Sequence, residues 1–143
     1  MRLRPAGGRT VGNPVPEAPA WPGLVLNIGG QGEIAYAIDI NNLISPTVDP
    51  ELFIHSGRFI RAVATALPVR SSVADAVKGN RFPAGDETFR LAVAAEAFRV
   101  LKPAGVFRIW SASGGGRLWL PALLTTGFLP ATLGPGYAEG VRP

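Results

Sequence analysis

The feature that most constrains the fold of this chain is a glycine-rich turn between two short apolar segments. Residues 24–28 form the first segment and residues 34–38 form the second, which is followed directly by Asp39. Three glycines lie in the turn between them, Gly29, Gly30 and Gly32. Short apolar segments bounded by turn residues are typical of strands buried on both faces. Glycines directly after such a strand let the backbone bend sharply and approach a ligand closely.

The acidic residue at the end of the second segment indicates one class of ligand. Nucleotide-binding folds place a carboxylate at this position to accept hydrogen bonds from ribose hydroxyls, which makes Asp39 a candidate ribose acceptor. The same pattern is typical of a plain turn joining two core strands. The motif alone does not separate the two interpretations.

The connection between the two predicted strands is unusually short. Parallel neighbours are normally joined by a dozen or more residues that include a helix. No full helix fits between Gly32 and Ile34. The two strands therefore either pair antiparallel or lie parallel across a tight connection that lacks its helix.

Composition narrows the chemistry that is available. The 143 residues suffice for one domain with a substantial core, and 47% hydrophobic against 17% charged residues indicate a globular chain. The sequence has no cysteine, which excludes disulfides, thiolate zinc sites and cysteine nucleophiles. The single histidine, His55, argues against a histidine-rich metal site or a serine–histidine–aspartate triad.

The N-terminal residues have a different composition from the rest. Residues 1–22 are rich in Gly, Pro and Arg, which predicts a tail followed by one domain at 23–143. The formal net charge is +4, but its only cluster lies in the tail, so nucleic-acid binding is not the favoured interpretation. No apolar segment approaches the ~20 residues of a membrane span, and no secretory signal is visible. We expect a cytoplasmic protein, or one exported by a route that needs no such signal.

Further strands and helices follow along the chain. Residues 86–102 predict a helix whose apolar face holds Leu91, Ala95, Phe98 and Leu101. Pro103 is the predicted stop, and Glu96 and Arg99 are assigned to the solvent face. Three more strands are predicted at 58–64, 73–77 and 106–110, and a short helix at 117–126. Trp110 and Trp119 are predicted core residues.

This alternation of strands and helices predicts an α/β fold. The expected architecture is a Rossmann-like, mostly parallel sheet with flanking helices, lacking the helix after the first strand. Ligands of such folds bind at the carboxyl ends of the strands. The glycine turn, Asp39 and residues 80–83 are expected to lie together at that edge.

Two segments then resemble a known family. Residues 96–105, EAFRVLKPAG, resemble the E-x-x-R-V-L-K-P-G-G segment of class I S-adenosylmethionine-dependent methyltransferases. LVLNIGGQGE, which begins at Leu24, is similar to the first motif of that family, usually VLDLGCGTG. The resemblance covers about residues 24–128 and implies S-adenosylmethionine as the cofactor.

The resemblance also implies roles for individual residues. The implied cofactor-binding residues are Asn27, Gly29, Gly30, Gly32, Asp39, Ala66 and Leu67. Of these, the glycines would lie against the methionine part of the cofactor, Asp39 would bind the ribose, and Ala66 and Leu67 would flank the adenine. Asn80 and Arg81 would lie beside the transferred methyl group and are the implied catalytic residues.

The chain departs from the family pattern at several points. Asn27 replaces the usual acid of the first motif, and Ala64 and Ala104 replace a frequent acid and a glycine. The helix after the first motif is missing from the pattern. The shortened pattern also resembles methyltransferase-like domains of bacterial polymorphic toxins and injected effectors.

Two functions follow from the resemblance. The first is a methyltransferase that acts on a small molecule or a protein. The second is a degenerate domain of the same fold that binds a partner instead of the cofactor. In that case a second copy of the chain could cover the sheet face left open by the missing helix, giving a homodimer.

Overall fold

The computed structural model describes residues 23–30, 34, 36–42, 58–111 and 114–143. The tail at 1–22, Gly32 and His55 lie outside the described residues. The strands in chain order are β1 (Val25–Ile28), β2 (Ile38–Asn41), β3 (Phe59–Arg61), β4 (Ala74–Gly79), β5 (Leu101–Ile109), β6 (Ala131–Gly134) and β7 (Tyr137–Val141). Two helices are described, α1 (Glu87–Val100) and α2 (Leu120–Thr126).

The seven strands form one sheet in the order β3-β2-β1-β4-β5-β7-β6. The first five strands in this order are parallel, and β7 runs antiparallel to both β5 and β6. This arrangement confirms the prediction of an α/β fold with a mostly parallel sheet. Leu26 lies opposite Ile38 in a parallel pair, which selects the parallel alternative for β1 and β2. Among the described residues of their connection, none is helical.

Several predicted boundaries were wrong. The strand predicted at 34–38 is β2 at Ile38–Asn41, so Asp39 lies inside the strand and not after it. β4 continues to Gly79 because Lys78 and Gly79 pair with β1 and β5. β5 begins at Leu101, which pairs with Ala74, and α2 begins only at Leu120.

Helix α1 begins and ends by identifiable contacts. The side chain of Asp86 accepts a hydrogen bond from Phe89 N at 2.8 Å, which caps the first turn. The chain is already extended at Leu101, so the helix stops before the predicted Pro103. The buried stripe is Val93, Ala94, Ala97 and Val100, whereas Ala95 of the predicted face is exposed. The small residues of this stripe let the helix pack close to the sheet.

Both helices cover the same face of the sheet, which we call the helix face. Its core side chains are Leu26, Ile28, Ile40, Val77, Phe107, Ile109, Trp119, Leu123 and Phe128, all less than 2% exposed. A chain of ring contacts links this core to the end of β4, since Phe82 contacts Phe89 and Trp119 with ring centroids 5.9 and 6.0 Å apart. In the described part of the chain, no helix is long and apolar enough to cross a membrane.

Candidate functional site

The strand order creates one topological switch point. From β1 the chain continues outward to β2 and β3, and then returns to place β4 on the other side of β1. The connections that leave the carboxyl ends of β1 and β4 therefore diverge. Ligands of open α/β sheets bind in the crevice at such a point. Here β1 leads into Gly29 and Gly30, and β4 leads into Asn80 and Arg81.

The glycine turn is fixed by backbone and side-chain contacts. Gly29 N donates to the carbonyl of Ile40 at 2.6 Å, and Gly30 N donates to the carbonyl of Asn27 at 3.1 Å. Asn41 Nδ2 donates to the carbonyl of Gly30 at 3.1 Å. Gly29 has a φ of +69°, and a Cβ there would lie 2.9 Å from the ring of Phe82. Only glycine meets both the conformation and the close approach at this position.

Asp39 lies directly beneath this turn. Its carboxylate is buried, with the residue only 3% exposed, and its Oδ1 accepts a hydrogen bond from Asn27 Nδ2 at 3.1 Å. A Cβ on Gly30 would overlap both Asp39 Oδ1 and Asn27 Nδ2. The absence of a side chain at Gly30 is thus what lets the turn close over the Asn27–Asp39 pair.

Asn80 and Arg81 form an outward step at the end of β4. Trp110 N donates to the carbonyl of Gly79 at 3.0 Å, and Phe82 N donates to the carbonyl of Trp110 at 2.9 Å. Asn80 and Arg81, which lie between these two bonded positions, therefore project outward from the strand pairing. Asn80 is half-buried, while Arg81 is exposed and has a φ of +54°, in the left-handed region that a non-glycine residue rarely occupies.

Leu67 is held by helix α1. Its side chain is buried in the core, its N–H donates to Glu96 Oε1 at 2.7 Å, and its carbonyl accepts from Arg99 Nη2 at 3.0 Å. Ala66 is exposed. Glu96 and Arg99 do not lie on a free solvent face as predicted. They are half-buried and pair with each other at 2.8 Å. The acid and the arginine of the E-x-x-R segment thus hold the loop at Leu67 against α1 by hydrogen bonds.

The environment of Glu96 favours its charged form. The hydrogen bond from Arg99 lowers the pKa of Glu96, partial burial opposes this effect, and the Leu67 N–H lowers the pKa further. A group whose pKa is lowered by folding stabilises the folded state above its unfolded pKa of about 4.3, and that contribution is lost as the pH falls through the folded value.

We expect Glu96→Gln to destabilise the protein by at most about 1 kcal/mol above pH 5, because the charged hydrogen bonds are partly exposed. The difference from the unmodified chain should shrink as the pH falls below about 4. Urea unfolding across this pH range measures the difference in stability. A double-mutant cycle with Arg99→Met separates the Glu96–Arg99 interaction energy from the other effects of the two substitutions. A difference that is independent of pH would contradict this explanation.

The face opposite the helices carries a row of polar side chains in register. The polar row consists of Asp39, Asn27, Lys78, Arg108 and Glu139, one from each of five adjacent strands. Arg108 pairs with Glu139 at 3.1 Å. Burial lowers the pKa of Lys78, the neighbouring Arg108 lowers it further, and Glu139 opposes both effects. The lysine and arginine inside otherwise apolar strands were the sequence signal for this row.

The structure brings together most of the predicted site residues. Asn27, Gly29, Gly30 and Asp39 form one cluster, in which Asn27 and Asp39 are paired inside β1 and β2 and the two glycines directly follow β1. Asn80 and Arg81 adjoin it through Phe82, whose ring lies against Gly29. The hydrogen bonds of Leu67 instead connect it to α1. Gly32 lies outside the described residues.

Two residues of the site were missed by the sequence analysis, Asn41 and Trp110. Phe82 lies within residues 80–83, which were expected at this edge, but its contact with Gly29 was not predicted. The carbonyl and N–H of Trp110 act through the backbone, which leaves no sequence signal.

Comparison with solved structures identifies the fold. A methyltransferase from Thermotoga maritima, described as S-adenosylmethionine-dependent and a possible histamine N-methyltransferase, is similar with a TM-score of 0.65, 15% identity, and coverage of 90% of this chain and 84% of that one. An aminoglycoside resistance methyltransferase is similar with a TM-score of 0.58 and 17% identity, and the match covers 86% of this chain and 88% of that one. Geranyl diphosphate C-methyltransferase from Streptomyces coelicolor, with S-adenosyl-L-homocysteine bound, is similar with a TM-score of 0.59 and 13% identity. The match covers 77% of this chain and 55% of that one.

At these identities the similarity establishes the fold and not the activity. No family model matches the sequence, and no curated protein matches it. The chain therefore has a class I methyltransferase-like fold, as the resemblance of residues 24–128 implied.

Proposed function

We propose that this chain binds S-adenosylmethionine at the glycine turn and transfers the methyl group to an acceptor beside Asn80 and Arg81. The observation that carries the proposal is the packing of Gly30 on the Asn27–Asp39 pair, at the switch point of a methyltransferase-like sheet. A close backbone approach and a carboxylate beside it are the two features that this proposal assigns to an adenosyl group.

The residues present fit such a cofactor in two respects. The two consecutive glycines leave the backbone at Gly29 and Gly30 without side chains at the strand end. The carboxylate of Asp39, which accepts a hydrogen bond from Asn27 Nδ2, is the kind of charged acceptor that ribose hydroxyls bind. Two proteins of similar fold support the choice of cofactor. One is described as an S-adenosylmethionine-dependent methyltransferase, and the other has S-adenosyl-L-homocysteine bound.

Access to Asp39 sets a condition on binding. With only 3% of the residue exposed and Gly30 packed over the carboxylate, ribose hydroxyls reach it only when the glycine turn shifts. Gly30 has little steric restriction on its backbone, so it suits a position that has to move. Cofactor binding should therefore be accompanied by a conformational change confined to this turn.

When bound, the cofactor supplies an electrophilic methyl group on a sulfonium. The remaining task of the protein is alignment, since positioning an acceptor and a donor in line supplies much of the rate. Asn80 can donate or accept a hydrogen bond at the strand end, and Arg81 presents an exposed guanidinium to an anionic part of the acceptor. These two side chains are the proposed positioning groups for the acceptor.

Calorimetric titration with S-adenosylmethionine tests the proposal. We expect saturable binding in the micromolar range, and about 10- to 100-fold weaker binding for Asp39→Asn, because hydrogen bonds to a charged acceptor contribute roughly 1.5–3 kcal/mol. Glu87→Gln is the matched control, since Glu87 is an exposed carboxylate on the first turn of α1. Its affinity should equal that of the unmodified chain. No heat at millimolar cofactor would refute the proposal.

The burial of Asp39 also favours a second candidate function. A carboxylate already bonded to Asn27 and covered by Gly30 can act as a structural anchor of the turn in a domain that binds a partner protein and no cofactor. The two candidates differ in one result. The partner-binding domain would fold normally and show no heat with S-adenosylmethionine, and Asp39→Asn would reduce only its stability.

A further inference from the structure

The two edges of the sheet differ in their protection. The β3 edge is flanked by Arg58 and Arg61, both exposed, and charged side chains are a common means of preventing edge-to-edge pairing. The other edge, β6, belongs to a segment with no charged residue at all between Arg117 and Glu139. Within the described residues, no strand pairs with the outer side of β6.

This uncharged segment also exposes leucines. Five large hydrophobic side chains are exposed among the described residues, and four of them lie between residues 118 and 138. They are Leu118, Leu124, Leu129 and Leu133, with exposed fractions of 44, 53, 69 and 49%. Leu129 lies just before β6, and Leu133 lies within it. Helix α2, which carries Leu124, packs against β6. Exposed apolar side chains concentrated at an unprotected edge indicate an interaction surface.

The backbone of β6 offers a defined set of hydrogen-bonding groups. Gly134 and Tyr137 close a two-residue turn as a hydrogen-bonded pair, and such pairs alternate along an antiparallel ladder. The N–H and C=O groups of Ala131 and Leu133 therefore point away from β7. Pro130 and Pro135 bound the strand, so these four groups are what the edge presents to another strand.

We propose that β6 pairs antiparallel with β6 of a second copy of this chain. Pairing about a two-fold axis at Thr132 places Ala131 opposite the Leu133 position of the other copy and satisfies all four outward groups. The two Thr132 side chains then meet on one face, and the Ala131 and Leu133 side chains alternate on the other.

Charge selects a second copy over a different partner. In a two-fold contact each residue meets its own equivalent, so any charge near the axis would face the same charge. A strand without charge is complementary to itself, although the chain as a whole carries +4. An oppositely charged partner would find no charged residue to recognise on this segment.

The interface is separate from the proposed cofactor site. β6 is four strands away from β1, or about 19 Å at the usual strand spacing. The dimer therefore does not depend on cofactor binding, and its failure would leave the proposed methyl transfer unaffected. The sheet face opposite α1 and α2 is not part of this contact.

Sedimentation equilibrium over a wide concentration range tests the proposal. The unmodified chain of 15.0 kDa should form a dimer of twice that mass with rising concentration. Leu133→Lys should reduce the association at least tenfold, because two lysines would flank the axis. Leu133→Pro should do the same, because it removes an outward N–H without removing a bond to β7. Circular dichroism verifies that both variants fold.

Leu118→Lys is the matched control, since Leu118 is similarly exposed and lies on the same uncharged segment but outside the strand. It should associate like the unmodified chain. A monomer at all concentrations, or a dimer that persists in both folded Leu133 variants, would overturn the proposal.

Discussion

Gly30→Ala is expected to destabilise the fold by about 2–3 kcal/mol and to abolish measurable cofactor binding. The new Cβ would overlap Asp39 Oδ1 and Asn27 Nδ2, both of which belong to buried side chains that have little room to move. Overpacking of this kind usually costs about 1–3 kcal/mol, and the Asn27–Asp39 hydrogen bond would be disturbed in addition. Urea unfolding measures the loss of stability, and calorimetry measures the loss of affinity.

Gly136→Ala provides the control for this prediction. Gly136 has a φ of +78° in the β6–β7 turn, and a Cβ added there would have no atom within 4 Å. Only the conformational cost of about 1 kcal/mol should appear, with no change in cofactor affinity. Equal effects of the two substitutions on affinity would show that the glycine turn has no special role.

Trp119→Ala is expected to have the largest effect on stability, about 3–5 kcal/mol. Trp119 is completely buried, and its ring contacts Phe82 and Phe107 with centroids 6.0 and 6.5 Å apart. Its Nε1 donates to the buried Ser111 Oγ at 2.8 Å, so the substitution both creates a cavity and removes a buried hydrogen bond. Since Phe82 lies against Gly29, the glycine turn should loosen as well.

Chemical denaturation of Trp119→Ala beside Trp110→Ala measures this effect. Trp110 is half-buried and contacts Tyr137 at a centroid distance of 6.1 Å, so its loss should cost less than half as much. Trp119→Phe keeps an aromatic ring in the core and loses the bond to Ser111 together with part of the buried ring volume, which gives a milder variant for comparison. Equal costs for Trp110→Ala and Trp119→Ala would contradict the assigned role of Trp119.

The parts of the fold that depend on local pattern could be predicted from the sequence. The alternation of apolar segments and turns predicted the α/β class, and the described residues of the short connection between β1 and β2 are not helical. The Asp86 cap gave the start of α1. Local hydrogen bonds and side-chain periodicity fix these features, and both can be read within a few residues.

The remaining features depend on neighbours distant in the chain. Asp39 was placed at a strand end, but pairing with β1 and β3 extends β2 to Asn41 and encloses the carboxylate. Glu96 and Arg99 were assigned to solvent because the Leu67 loop that they bind is nearly thirty residues away. The polar row and the position of β6 at the edge of the described sheet emerge only once the strand order and register are known.

The central claim is that the carboxyl ends of β1, β2 and β4 form the site for an adenosyl cofactor. Titration of the isotopically labelled chain with S-adenosylmethionine, followed by amide resonances in two-dimensional NMR, tests it most directly. Saturable shifts confined to Gly29, Gly30, Asp39 and Asn80, and lost in Asp39→Asn, are the predicted result. Resonances that stay unchanged at millimolar cofactor, or saturable shifts located only at other parts of the sheet, would contradict it.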